Sequence, residues 1–198
     1  MAYAGKKALV KIPGTAVAFT DEATTTSDNK SYQITNTTKR VWHKTAAVTV
    51  EVNGTVTGEQ YTLNRLNGTV TFSVANGSRG TVTVTGQYLP MSAAAEAHEW
   101  KLTMEAENLE VTPFQAVYRT KIQGLKGASG SISQWNVIDR YYYNALVGGN
   151  PLVLELYPQD TLTPLKIWAV LNSDELSAAL DAAQDEAVSF ESTEDLLI

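Results

Sequence analysis

Residues 46–90, AAVTVEVNGTVTGEQYTLNRLNGTVTFSVANGSRGTVTVTGQYLP, decide the fold. Val48, Val50 and Val52 alternate with polar residues, Asn53-Gly54 follows, Tyr61 to Leu66 runs on, Asn67-Gly68 follows, and Val70, Phe72 and Val74 alternate again. A period of two puts one set of side chains on each face of a pleated backbone, so each run reads as a half-buried strand. Asn and Gly both tolerate the positive φ of a type I′ turn, which makes Asn-Gly between such runs a strong hairpin signal. Asn76-Gly77 and Gly80 supply a third turn before Val82, Val84 and Tyr88. The stretch predicts a meander of three or four antiparallel strands.

Upstream of it, Ala8–Ile12 and Thr15–Phe19 read as two short strands around the turn pair Pro13-Gly14. The 24 threonines fall mostly before Gly86 and often alternate with valine, which suits a half-buried pleated surface. Asp21–Thr38 is polar with little periodicity and reads as a long loop, a kind of segment that is usually functional in a compact domain. Downstream, Trp100, Leu102, Met104 and Ala106 recur every second residue, so a strand is expected there. Ala116–Ile122 and Ser129–Val137 read as two further strands, with Gly124, Gly127 and Gly130 in a turn between them. Asp139 suits an N-cap for a short helix over Arg140–Val147, which Gly148-Gly149 ends. Pro151–Tyr157 and Leu165–Leu171 read as apolar strands. By propensity Ser173–Glu186 starts as a helix, and Val188 and Phe190 resume alternation. The fold class is mainly β, an antiparallel sandwich or barrel with one short helix. One domain over 1–198 is expected, with 46–90 as an elaboration within it.

Charge is uneven. Residues 1–90 hold nine Lys/Arg against five Asp/Glu, and residues 91–198 hold six against sixteen. An acidic half of this kind repels phosphate, which argues against a nucleic-acid-binding protein. There is no cysteine, so disulfides, thiolate metal sites and cysteine nucleophiles are excluded. Nowhere do 18 apolar residues run together, and the expectation is a soluble protein with neither signal peptide nor membrane span.

Chemistry fares poorly. The two histidines are His43 and His98. His98-Glu99 begins like a zinc-helix motif, but the second histidine of that motif would stand at Leu102. Gly124–Gly130, GLKGASG, lacks the Lys-Ser/Thr ending of a phosphate loop. Glu105 and Glu107 fall on one side of a strand, as glycosidase carboxylates could, yet carboxylates this close in sequence are more often a solvated strand face. Tyr141, Tyr142 and Tyr143 are adjacent on a helix and point three ways, which unfits them as a stacking platform. No catalytic constellation, metal site or cofactor site is expected, and the reading is non-enzymatic.

From Glu96 onward the order of features resembles the tail tube proteins of long-tailed phages. The resemblance rests on Ile122-Gln123-Gly124-Leu125-Lys126-Gly127-Ala128-Ser129-Gly130-Ser131-Ile132, the short helix with its Gly-Gly end, the paired apolar strands, and Val188-Ser189-Phe190-Glu191-Ser192-Thr193. It implies a β subunit whose inner strands join those of neighbours in a hexameric ring around a DNA channel. It further implies a long early loop, 21–44, that reaches the adjacent ring, and strands rather than a helix over 171–179 and 187–191. The implied partners are further copies of the chain, a tape-measure protein, a tail terminator and baseplate or tip proteins. DNA would pass without specific binding, and the implied location is the virion tail, assembled in the host cytoplasm. On that reading Lys39, Arg40 and Lys44 are candidates for inter-ring contacts. Glu105, Glu107, Asp174, Glu175, Asp185 and Glu186 are candidates for an acidic lumen or stacking surface. A capsid decoration protein or an immunoglobulin-like adhesion module is the alternative.

Overall fold

The alternating runs become strands in the computed structural model, which describes residues 9–94, 97–115, 117–135, 140–149, 151–159, 161–177 and 184–194. In chain order they are β1 (Leu9–Pro13), β2 (Val17–Thr26), β3 (Ser31–Ile34), β4 (Thr49–Val52), β5 (Thr55–Val56), β6 (Tyr61–Asn64) and β7 (Thr69–Phe72). Then come β8 (Val82–Tyr88), β9 (Met91–Ala93), β10 (Ala97–Glu110), β11 (Lys121–Trp135), α1 (Tyr141–Gly148), β12 (Leu152–Tyr157), β13 (Leu165–Ser177) and β14 (Asp185–Ser192). The protein is mainly β, with two antiparallel sheets and one short α-helix among the described residues. Where the sequence reading has one domain, the chain divides into two compact units. One is built from residue 94 onward together with Leu9 and Val10, the other from Lys11–Ala93.

In the unit of residues 11–93 the strand order is β5-β4-β8-β2-β3-β7-β6. The expected Asn53-Gly54 turn joins β4 to β5 with φ of 52° and 74°, the positive values that pair tolerates. β6 and β7 pair as a second hairpin, with Tyr61 opposite Phe72 and Asn64 opposite Thr69. The strands over 46–90 are nevertheless not a simple meander, because β2 and β3 lie between β8 and β7. Asp21–Thr38, expected as a loop, is therefore mostly strand. Its threonines hide the pattern, since Thr suits either face of a sheet: Thr24, Thr25 and Thr26 sit opposite Ile34, Gln33 and Tyr32.

β2 is also the corner of this unit. Its first part pairs with β8 as far as Ala23 and its last three residues pair with β3. Between Phe19 and Glu22 the register shifts, Asp21 takes φ 48°, and the Asp21 N–H donates to Thr85 Oγ1 at 3.0 Å. A bulge of this kind bends its strand. The two halves share one core of Phe19, Tyr32, Ile34, Trp42, Val50, Val70, Phe72, Val82 and Val84. Arg79 closes one end of it. Its buried guanidinium lies 3.9 Å over the Phe72 ring, donates to the Asn29 and Val74 carbonyls, and pairs with Glu59 at 2.7 Å.

In the other unit β10, β11, β14, β13 and β12 follow one another in the sheet. Every residue from Leu152 to Leu156 is buried, Glu155 included. Glu155 is held by Lys166 Nζ at 3.0 Å and by the Tyr157 hydroxyl, which donates at 2.9 Å. α1 packs on β13 with Tyr142 buried, and it ends as expected: Gly149 adopts φ 61° and its N–H donates to the Leu146 carbonyl. The N-cap expected at Asp139 lies outside the described residues. Strands over 171–179 and 187–191 match β13, as far as Ser177, and β14.

One expectation is overturned here. Gly124–Gly130 is not a turn between two strands but the interior of β11, a single strand of 15 residues. Gly124 and Gly130 mark close approaches instead, whereas Gly127 faces open space. A Cβ at Gly130 would run into the Lys101 carbonyl and the ring of Phe190, its cross-strand partner, and one at Gly124 would press on Leu109.

Candidate assembly surface

The register across β10, β11, β14 and β13 sorts their side chains into two faces, because cross-strand partners point the same way. One row runs Trp100, Ile132, Val188, Asp174, and the next runs Leu102, Gly130, Phe190, Leu171. This is the core face, and Ile132, Val188 and Phe190 are buried. The rows between them form the other face: Glu99, Ser133, Ala187, Glu175; then Lys101, Ser131, Ser189, Ser173; then Thr103, Ser129, Glu191, Val170. Apart from Val170, every position there is Ser, Thr, Ala, Glu or Lys. The hydroxyls of Ser173 and Ser189 share a hydrogen bond at 2.7 Å. The face is smooth, short-chained and net acidic.

Such a face has a definite chemistry. Serine hydroxyls interact with water as readily as with one another, and they present no flat apolar ring on which a base could stack. Its carboxylates repel phosphate over roughly a Debye length, about 8 Å at physiological salt. A polyanion can slide past it without being held.

The six acidic candidates divide between these faces. Glu105 and Glu107 are exposed and continue the hydroxyl face along β10; Glu175 and Asp185 belong to it by register. Asp185 Oδ1 stands 3.9 Å from His98 Nε2, and His98 stacks on Trp135 with ring centroids 4.6 Å apart. Asp174 and Glu186 point the other way. Glu186 is buried and accepts a hydrogen bond from Gln134 Nε2. Both carboxylate oxygens of Asp174 are buried without a hydrogen-bond partner.

The three basic candidates lie in the other unit and do not form a free loop. Lys39 ends a 3-10 turn, Thr37–Lys39, and its Nζ pairs with Glu22 at 2.6 Å. Arg40 Nε donates to the Ile34 carbonyl at 2.9 Å, and Lys44 is half-buried. Part of the segment expected to reach outward is thus strand, and Lys39 and Arg40 are bound to their own unit.

The element that does project was missed in sequence. β10 and β11 pair from Ala97↔Gln134 to Glu110↔Lys121, but β14 pairs with β11 only over Ser129–Trp135. Beyond Ser129 the two strands continue alone as a ribbon, an arm that ends in the loop 111–120. Phe114, Val117 and Tyr118 in this loop, and Leu125 behind it, are more than four-fifths exposed. Contiguous exposed apolar groups of this kind mark interaction surfaces. Among the described residues β10 also leaves a 14-residue edge without a neighbour in the sheet.

No family model matches the chain, and no curated protein does. Among solved structures, one similar chain comes from the tail of an empty gene transfer agent particle, reconstructed by helical refinement with C6 symmetry. It is 14% identical, with a TM-score of 0.49, over 55% of this chain and 86% of that chain. Another comes from the virion of a native gene transfer agent particle, 13% identical with a TM-score of 0.47, over 54% of this chain and 86% of that chain.

Proposed function

We propose that the chain is a structural, non-enzymatic subunit of a phage tail tube. Copies would join edge to edge in a ring, with no cofactor required, and with the hydroxyl and carboxylate face turned toward a DNA channel. The observation that carries this reading is that face, whose three rows offer a passing polyanion neither a cationic cluster nor a ring, while the adjoining row of Trp135, Asp185 and Ser177 brings one half-exposed indole that stacks with His98. The free edge of β10 supports it further, since an unpaired 14-residue edge is an aggregation liability that ring closure with identical neighbours removes. The sequence resemblance stated above points the same way and implies six copies per ring. For contact between rings the arm is a second candidate beside 21–44, of which the strands Val17–Thr26 and Ser31–Ile34 take up part. In this role the protein would reside in the virion tail and meet the tape-measure, terminator and tip proteins at the ends of the stack.

Negative-stain electron microscopy of the purified protein at high concentration, with its mass in solution, tests this. Hollow tubes or stacked rings are expected. A monodisperse particle of one or three chains at every salt and protein concentration would overturn it in favour of a decoration or adhesion module. That second reading draws on one observation, the separate core of residues 11–93.

A further inference from the structure

β14 last pairs with β11 at Ser129↔Glu191 and ends at Ser192, whereas β11 runs on to Lys121. From Ala128 outward, β11 has a partner strand on its β10 side alone. Among the described residues the other edge is open. The Ala128 N–H points to that side, where it donates to Ser192 Oγ at 2.9 Å, and strand alternation turns the backbone polar groups of Lys126 the same way. A cavity of about 460 Å³ lies along this edge, walled by Glu105, Glu107, Leu125, Lys126, Gly127 and Glu191 among others. An open strand edge beside a cavity is the geometry that accepts an added strand. Three carboxylates against one ammonium ask for a basic one.

The tip of the arm has that chemistry. Residues 111–122 contain Arg119 and Lys121 and no carboxylate, and they carry the exposed Phe114, Val117 and Tyr118. The tip does not reach the cavity of its own chain. Pairing of Glu110 with Lys121 holds it at the far end of the ribbon, six residues or roughly 20 Å along the strand from Gly127.

We propose that this cavity receives the arm tip of a second copy, whose extended segment near Val117–Lys121 pairs with the open edge of β11. The inference rests on the tube reading and specifies a contact within it. Tip and cavity are different surfaces, so the contact is head-to-tail, and repeated it links copies in series, around a ring or along a stack.

The chain has no cysteine, so an introduced pair reports without background. Gly127→Cys places a thiol in the cavity, where a Cβ meets nothing within 4 Å, and Thr120→Cys places one at the exposed tip. The two full-length variants are mixed, oxidised, run on non-reducing gels and imaged. A disulfide dimer that forms from the mixture at least tenfold more than from either variant alone is expected, along with a ladder of multiples from the double variant. Tubes or rings in the images with no such dimer would overturn the contact and leave the tube reading standing. Neither particles nor dimer would overturn both, and a dimer without particles would support the contact while counting against the tube.

Discussion

Two glycines of β11 separate packing from function at single-residue scale. Gly130 lies beneath Phe190 and against the Lys101 carbonyl, and backbone cannot yield as a flexible side chain can. Gly130→Ala should destabilise its unit by about 1–3 kcal/mol, the range for forcing an extra carbon into a packed site. Gly127→Ala, three residues along the same strand, meets open space, and its melting temperature should match that of the parent chain. Asp28 gives the acid response of the other unit. Its carboxylate accepts from the Ser31 and Lys30 N–H groups at 2.7 and 2.9 Å, and these bonds lower its pKa from 3.8 to about 2. A carboxylate favoured in the folded state stabilises fully above its unfolded pKa and ceases to do so as pH falls through the folded value. Glu59, held below its usual range by the hydrogen bond from Arg79, acts in the same direction. Stability should therefore fall between about pH 4 and pH 2. Asp28→Asn should flatten that fall in an acid titration followed by near-ultraviolet circular dichroism, and an unchanged midpoint and slope would contradict it.

At the scale of elements, the arm is where solubility and assembly part company. Phe114 and Tyr118 touch little of their own chain, so replacing both with Ser should leave thermal unfolding within about 0.5 kcal/mol of the parent. The same variant should fail to form the tubes or rings expected of the parent chain in electron microscopy. Alternation made β4, β7, β8 and β10 legible in the sequence, and Asn53-Gly54 and Gly149 marked a hairpin and a helix end by the φ they require. Three elements were hidden for physical reasons. The threonines of β2 satisfy both faces of a sheet and so erase the period. Gly124, Gly127 and Gly130 mimic a turn, because a glycine needed for close approach, as at Gly124 and Gly130, cannot be told from one needed for φ. The arm was hidden because its partner ends: where β14 stops is a fact of register, which composition does not encode. The candidate site was legible in part. Glu105, Glu107 and Glu175 reach the hydroxyl face, whereas Asp174 and Glu186 follow the opposite parity into the core.

For the whole molecule, the chain path sets the largest prediction. It leaves for residues 11–93 along β1 and returns along β9, and these strands pair at Lys11↔Ala93, Ile12↔Ser92 and Pro13↔Met91. The Gly14 N–H donates to the Pro90 carbonyl at 2.8 Å, so the entry and exit points adjoin. Replacing residues 15–89 with a short Gly-Asn turn should leave a chain that folds and assembles with the hydroxyl face intact. A shortened chain that keeps its β circular dichroism signal is expected, and one that is unfolded by circular dichroism would show the two units to be interdependent. With separate cores, the parent chain should also unfold in two calorimetric transitions, one of which is absent after the excision.

The closeness of those two strands has an engineering consequence. Partners in an antiparallel pair stand about 5 Å apart at their Cα atoms. Any foreign domain whose own termini meet at that spacing could be spliced between Gly14 and Pro90 without stretching the host backbone. Every copy in an assembly would then carry one such passenger at a chemically identical position, a display lattice whose density is set by the subunit rather than by the cargo.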